Sequence, residues 1–493
     1  MTERGVRIYN TLTQAKETLT PPNGQPLGIY VCGPTVYSYV HIGNARTFTM
    51  FDVVVRYLRH KGIVVRYVRN YTDVDDKIIQ AARASGESPS ALADRFVRAF
   101  DEDAARLGLL LPDVAPRVTQ HMPEIIALIE KLIAAKAAYA SGGDVYFYVA
   151  AFPGYARLSK RNLDDLRAGE RAVSGENKRE PLDFALWKAA KPGEPFWSSP
   201  WGEGRPGWHI ECSAMAEKYL GRPLDIHGGG IDLIFPHHEN EIAQSEAASQ
   251  GAFCRCWMHS QFLNLEDAKM SKSLGNVVRL RDALDRVGGE VLRLFFISTH
   301  YRRPLAFTDK SFADVDARLE YFYETLRRAD ARLEGTTPSG PLEGDPHRHL
   351  ASFEAAMDDD FNCPGGLAAL SGLFNELNEA VERAKGKTAA TWLPAVAALR
   401  DDARKIGTVL GFFREPPEAW LLARRRRAVQ ERKLDEAHIE MLMTQRSEAR
   451  AQKNWAESDR LRDALKAMGV EVMDSPQGST WRVSPEALAA AKE

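Results

Sequence analysis

No apolar run in this chain approaches the ~18 residues needed to cross a bilayer, and the opening stretch MTERGVRIYN lacks the apolar centre of a signal peptide. A membrane protein and a secreted one are therefore not expected, and the cytoplasm is the default compartment. Cysteine is scarce. Cys32, Cys212, Cys254, Cys256 and Cys363 are odd in number and scattered, which argues against a disulfide framework and fits a reducing compartment. An excess of one sign of charge is also lacking, because 65 Lys and Arg stand against 67 Asp and Glu. Bulk electrostatics thus announce no nucleic-acid partner, and any such partner must be met by local basic patches. Neither an internal repeat nor an extended low-complexity tract is present, which excludes a solenoid. What the chain does have is length: 493 residues, 44% of them hydrophobic, exceed one core and predict two to four domains.

Leu27 to Cys32 read as a short buried strand broken by Gly33-Pro34, and Phe48, Phe51, Val55 and Leu58 recur at helical spacing between Ala45 and about His60. A second strand, Val64 to Val68, follows the Lys61-Gly62 stop, and Asp73 to about Ala84 is expected to be helical. The order β-α-β-α predicts an α/β fold with a parallel sheet. Material from about Pro112 to Pro200 interrupts it as an insertion, with a Ser141-Gly-Gly-Asp144 turn before the alternating Val145 to Val149. Strands return at Leu224 to Ile226 and Trp257 to Leu263, each followed by a loop rich in glycine or charge, and the ligand site is expected along those loops. After Val278 the character is helical, a linker spans Gly335 to Pro346, and a second break at Glu415-Pro-Pro-Glu418 precedes a small C-terminal module.

Three motifs carry chemistry. His41-Ile42-Gly43-Asn44 sits between the first strand and the first long helix, where Gly43 permits close backbone approach and a helix N-terminus favours a triphosphate. Lys269-Met-Ser-Lys-Ser273 offers two lysines, Lys269 and Lys272, able to clamp phosphate charge that grows in a transition state. His227-Gly228-Gly229-Gly230-Ile231-Asp232 follows a strand, so a nucleoside can lie on Gly229 and Gly230 while Asp232 accepts from ribose hydroxyls. The first two in this order resemble the paired signatures of class I aminoacyl-tRNA synthetases. That resemblance implies a Rossmann-type sheet holding ATP with Mg²⁺, His41 and Asn44 at the phosphates, and Lys269 and Lys272 closing over them. Asn44 departs from the second histidine often found in the motif.

Within that class the resemblance narrows to the cysteinyl enzymes over nearly the whole chain. It is carried by Tyr30-Val-Cys-Gly-Pro-Thr-Val-Tyr37, Asn70-Tyr-Thr-Asp-Val-Asp-Asp-Lys77, Asp183-Phe-Ala-Leu-Trp-Lys188, Gly207-Trp-His-Ile-Glu-Cys-Ser-Ala-Met215, Phe235-Pro-His-His-Glu-Asn-Glu-Ile-Ala-Gln244 and Met357-Asp-Asp-Asp-Phe-Asn362. It implies one Zn²⁺ held by Cys32, Cys212, His237 and Glu241, and Trp208 and His209 as walls of a cysteine pocket. Spacing alone does not give the zinc set, since ligands so far apart carry no local signature; His237 and Glu241 share a face if Pro236 starts a helix. Cys254-Arg-Cys256 is a rival pair whose single-residue spacing suits chelation poorly, and both are read as structural, as is Cys363.

The same resemblance divides the chain into a Rossmann catalytic domain (1–111 and 201–278), an inserted domain (112–200), a helical stem-contact region (279–335), a helical bundle (347–414) and an anticodon-binding module (424–493). Arg424 to Arg427, Arg446, Arg450, Lys453, Arg460 and Arg462 are candidate RNA contacts, and Trp481, with Asp474 or Arg482, is expected to stack on and bond unpaired bases. The implied activity joins cysteine to ATP as an adenylate and then to the 3′ end of tRNA(Cys), in a monomer without membrane attachment. An ATP-dependent cysteine ligase of thiol biosynthesis, acting on an amino-sugar, is the alternative.

Overall fold

Residues 5–162, 177–249, 251–265, 268–269, 278–340, 344–475 and 478–483 are described by a computed structural model of the chain. β1 (Arg7–Asn10) and β2 (Ala15–Thr18) form a hairpin, followed by β3 (Leu27–Val31), α1 (Ile42–His60), β4 (Val65–Arg69), α2 (Asp76–Ser85) and α3 (Pro89–Leu107). After α4 (Met122–Ala134) come β5 (Ala138–Ser141), β6 (Asp144–Phe147), β7 (Phe184–Ala189) and β8 (Gly204–Pro206), which build a separate antiparallel sheet in that order. That sheet runs six residues past the expected boundary at residue 200. The chain returns through α5 (Ile210–Leu220), β9 (Leu224–Gly230), α6 (Glu239–Ala248), β10 (Cys254–Ser260), β11 (Leu263–Leu265) and β12 (Ala268–Lys269).

The central sheet has the order β10-β9-β3-β4, all parallel. All five residues of β3 are buried, as a strand covered on both faces requires. On one face lies α1, whose N-cap His41 accepts from the Asn44 N–H at 3.3 Å and whose apolar stripe includes Phe48, Phe51, Val55 and Leu58. Burial of Phe51 alone is worth roughly 1.5–3 kcal/mol. Its ring fits because β9 lacks a side chain there: a Cβ on Gly228 would lie 2.0 Å from it. The run His227 to Gly230, expected as a loop after a strand, is thus strand itself, paired with Trp257 to Ser260, and its glycines serve close packing rather than flexibility.

The second face of the sheet is covered by α4, α5 and α6 in a core shared with the inserted sheet. The first core continues into α7 (Leu280–Val287), α8 (Gly289–Ile297), β13 (Leu305–Phe307), α9 (Asp309–Leu333), α10 (Arg348–Asp358), α11 (Cys363–Arg383) and α12 (Ala389–Leu410). One buried ion pair fixes this junction: Asp52 on α1 accepts from Arg293 on α8 at 2.5 Å and from Arg56 at 2.8 Å.

The remaining elements are α13 (Pro417–Arg432), α14 (Glu436–Ala451), α15 (Trp455–Ala467), β14 (Val470–Ser475) and β15 (Gly478–Val483). Helix α13 does not present the expected basic face. Trp420 stacks on Tyr323 of α9 at 4.2 Å, and Arg424 is buried between Asp316 (2.6 Å) and Glu320 (2.7 Å). Of Arg424 to Arg427 only Arg426 is exposed. Among the described residues no helix is long and apolar enough to cross a membrane.

Candidate active site and metal centre

In a parallel sheet the chain leaves adjacent strands in opposite directions at one point, and the loops there part to leave a crevice. Here that point lies between β3 and β9. Gly33, just beyond β3, donates its N–H to Asn70 Oδ1 at 2.9 Å, and a Cβ there would meet the Asn70 carbonyl oxygen at 1.6 Å, so only glycine lets the chain pass. The turn leaves the Cys32 thiol facing α5 and α6, where it meets Cys212 at 3.7 Å and Glu241 at 3.6 Å. His237 approaches Glu241 Oε1 at 3.0 Å. Ligand atoms of Cys32, Cys212, His237 and Glu241 all lie within 4.8 Å of one another, and every one of these residues is buried. Helix α6 begins at Glu239, not at Pro236, and His237 sits in the wide turn before it; the four-residue spacing still sets both side chains on one side.

A second set, Cys32, His227, His238 and Glu241, also meets the distance condition. Its histidines are already engaged, His227 Nε2 with Glu241 Oε2 at 2.7 Å and His238 Nδ1 with His259 at 2.8 Å. They are placed to orient the carboxylate and thiol from outside, as residues behind a metal commonly do. His209 does the same for His237, the two Nδ1 atoms being 3.0 Å apart. Sequence reading missed His227, His238 and His259 as a group. His227 lies in β9, His259 in the parallel neighbour β10 and His238 inside the Phe235 to Gln244 motif, so the pairing of the strands brings them together and no local spacing announces it.

Electrostatics agree with a cation-seeking pocket. Contact with Cys32 draws the Cys212 thiol down to about 6, while burial pushes the Cys32 thiol well up. Burial works to raise Glu241, yet His227 and His237 hold it well below the usual carboxylate range. Burial works to lower His237, but Glu241 outweighs it and lifts the imidazole to about 10. Burial keeps His238 and His209 well below the ordinary histidine range. Two sulfurs, one imidazole and one carboxylate form a donor set that suits a tetrahedral zinc.

Cys32 also opens onto a cavity of about 310 Å³, lined on its other sides by His41, Gly43, Asn44, Gly230 and Asp232, with Trp208 at its edge. Trp208 stacks on His237 at 4.3 Å between ring centres. Gly229 is not among the lining residues; a side chain there would point at Leu233 and His238. His209 instead lines an adjoining cleft of about 640 Å³ beneath the inserted sheet. The backbone of Lys269 lies in β12, paired with Asn264, and Lys272 falls outside the described residues.

The C-terminal module departs from expectation. Trp481 is buried, with Nε1 donating to Glu440 at 2.8 Å, so it cannot stack on a base. Asp474 is held by Arg446 at 2.8 Å and Arg450 at 2.5 Å, and Arg482 by Glu471 at 2.7 Å. The exposed ring is Trp455, 59% accessible at the start of α15.

Comparisons with known proteins match three stretches of the chain. Residues 18–317 match the family described as tRNA synthetases class I (C) catalytic domain, residues 352–414 a DALR domain, and residues 436–482 a cysteinyl-tRNA ligase anticodon binding domain. The cysteine–tRNA ligase of Anaeromyxobacter dehalogenans (strain 2CP-C) is 52% identical over 484 residues, 97% of this chain and 99% of that one. The enzyme of the same name from Pelobacter propionicus is 47% identical over 491 residues, 97% and 99% of the two chains. Among solved structures, methionyl-tRNA synthetase of Mycobacterium tuberculosis in complex with methionyl-adenylate aligns with a TM-score of 0.61 at 16% identity, covering 80% of this chain and 93% of that one. At that identity the likeness is one of fold.

Proposed function

The chain belongs to the cysteine–tRNA ligase family of class I synthetases, and on that premise we propose that it activates cysteine with ATP as cysteinyl-adenylate and transfers cysteine to the 3′ end of tRNA(Cys). The observation that carries the site is Cys32, which belongs at once to the metal-type cluster and to the lining of the cavity that holds His41 and Asn44. A cysteine seated there has its thiol toward the cluster and its carboxylate toward the phosphates. Attack by that carboxylate oxygen on the α-phosphorus of Mg²⁺-bound ATP breaks the bond to the α–β bridging oxygen and expels pyrophosphate, with no protein nucleophile, so placement and charge carry the rate. His41 and Asn44 serve the phosphates from the helix N-terminus, Asp232 and Gly230 serve the ribose, and Lys269 and Lys272 meet the charge that develops. Trp208 walls the cysteine side chain and His209 holds His237 in place.

The fourfold donor set fits Zn²⁺, which when bound would supply a preference for soft sulfur that an ordinary pocket lacks. The need is plain: serine is nearly isosteric, and shape alone rejects such a mimic by only roughly 10²-fold. Reaching about 10⁴- to 10⁵-fold takes roughly 5.5–7 kcal/mol of differential binding. The protein acts as a monomer in the cytoplasm. The thiol-biosynthesis ligase is not favoured, because it has no use for an anticodon-binding module. Cysteine-dependent ATP–pyrophosphate exchange together with cysteine charging of tRNA tests the activity; exchange without charging revives the alternative. Replacement by Co²⁺ tests the metal: over the sulfur-to-cobalt absorption that Cys32 and Cys212 themselves give, a further band should appear on adding cysteine and not serine, and no change on adding cysteine makes the metal merely structural.

A further inference from the structure

Arg46 stands on α1 two residues beyond Asn44, is 2% exposed, and among the described residues pairs with no carboxylate. Its partners are four backbone carbonyls. Nη1 donates to Gln261 at 3.0 Å and Phe262 at 2.6 Å, and Nη2 to Arg303 at 2.6 Å and His300 at 3.4 Å. Next to it Thr47 and Ser260 share a hydroxyl contact of 2.6 Å. Three separate segments thus converge on one guanidinium: the start of α1, the link from β10 to β11, and the turn after α8.

The acceptors are not arbitrary. Gln261, Phe262 and Leu263 line the same 310 Å³ cavity as His41, Asn44 and Asp232. These residues form one wall of the cavity, and Arg46 holds two of that wall's carbonyls from behind, where Gln261 N–H also donates to the Tyr301 carbonyl at 2.8 Å. Only a guanidinium has the forked donors to hold four carbonyls at once. Yet a buried cation surrounded by neutral dipoles is a costly staple, because desolvation is not repaid by a counter-charge. Burial alone already draws this guanidinium down to about 10. A polyanion in the adjoining cavity supplies the missing charge, through a medium that screens poorly.

We propose that Arg46 is a positioning residue for the nucleotide: it holds the Gln261–Leu263 wall in register, and its charge is balanced only when the ATP phosphates occupy the cavity. This rests on the ATP site proposed above. Loss of a charged hydrogen-bonding group predicts that Arg46→Gln raises KM for ATP about 10- to 100-fold in cysteine-dependent exchange. KM for cysteine and metal content should change less than about twofold, because Arg46 bonds to no member of the cluster. Arg46→Lys keeps the charge but spans fewer carbonyls, and should recover about half of that loss on a logarithmic scale. Binding of a non-hydrolysable ATP analogue, measured by calorimetry on the same variants, reads the nucleotide site without requiring cysteine or tRNA activity. If wild type binds the analogue but shows no cysteine-dependent exchange, the activity assignment fails while the role of Arg46 stands or falls on the binding data. Unchanged analogue affinity in both variants with a lowered Tm makes Arg46 a fold staple only and overturns the proposal. Equal loss of ATP and cysteine affinity in folded Arg46→Lys protein overturns it too, since the effect would then be general to the pocket.

Discussion

In the pocket whose side chains could hold a metal ion, Cys32, Cys212, His237 and Glu241 are buried and face one another, whereas the buried charged residues Arg424 and Arg446 of the C-terminal region each face a carboxylate of the fold. The difference is one of satisfaction. Arg424 and Arg446 have their counter-charges in the protein, so their burial is complete without a ligand. The four pocket residues bring two thiols and a carboxylate against one raised imidazole, with His227 on the far oxygen of Glu241, so the two sulfurs have no counter-charge of their own beyond His237 and a cation would supply it. A buried polar residue therefore points to function in the first region and to architecture in the second, where the exposed Trp455 is the better functional candidate.

The sharpest way to break this contrast is Cys212→Ser. Loss of the metal should lower the preference for cysteine over serine from about 10⁴- to 10⁵-fold toward roughly 10²-fold, what shape alone gives. Metal analysis and exchange with each amino acid measure it; unaltered preference in metal-free protein would show that the cluster is architectural as well. Lys272→Ala should slow adenylate formation by about 10²- to 10³-fold with little change in cysteine binding, as for removal of one charge donor acting in the transition state. Single-turnover exchange with parallel cysteine binding separates the two, and equal losses would refute the assignment.

Chain truncation tests the other region. Ending the chain after Leu434 removes α14 to β15 while keeping Trp420 on Tyr323 and Arg424 on Asp316. Exchange should survive and charging should fall by at least about 100-fold, or roughly 2.8 kcal/mol. Ending it at Glu415 also strips the Tyr323 stack from α9, so exchange should suffer as well through lost stability. Equal exchange in both truncations would detach α13 from the catalytic half.

The two tryptophans divide in the same way. Trp481→Ala empties a buried site and should cost roughly 3–5 kcal/mol of module stability, measured by denaturant unfolding. Trp455→Ala should leave stability within about 0.5 kcal/mol and raise KM for tRNA by about 10- to 100-fold, the worth of one base stacked on an aromatic ring. A tRNA KM unmoved by Trp455→Ala would return the recognition surface to elsewhere on the module.

Sequence reading went furthest where pattern is local. The β-α-β-α order is visible because β3 is a continuous apolar run and α1 has helical periodicity, both set by burial within one segment. Cys32 and Cys212 meet across 180 positions, so their contact is a property of the sheet's strand order and no periodicity reveals it. Family likeness named the four metal-type residues; the histidines behind them, and Arg46, were legible only as geometry. The Arg424 to Arg427 run misled for the opposite reason. A charge cluster records what could be solvated, and Asp316 and Glu320, about a hundred residues away, decide that Arg424 is not.

The smallest expected effect lies at Asp474, which separates a local tie from a binding site. Hydrogen bonding from Arg446 is the main cause that holds its carboxyl well below the ordinary range, against the opposing pull of desolvation and with Ser479 and Arg450 adding to it. A depressed folded-state value means that the tie stabilises the module fully above the unfolded carboxylate value of about 3.9, and that this stability is lost as pH falls below it toward the folded value. Asp474 is 41% exposed, so solvent screening limits the contribution to about 1 kcal/mol or less. Denaturant unfolding of the intact protein and of Asp474→Asn, compared between pH 7 and pH 3, should show a gap of that size at pH 7 that narrows on acidification. A gap that persists at pH 3 would mean that Asp474 acts through its bonds to Ser479 and not through its charge. Salt should shrink the gap at pH 7 if Arg450, the more exposed partner, carries part of it, and tRNA affinity should follow stability rather than precede it if the pair is architectural.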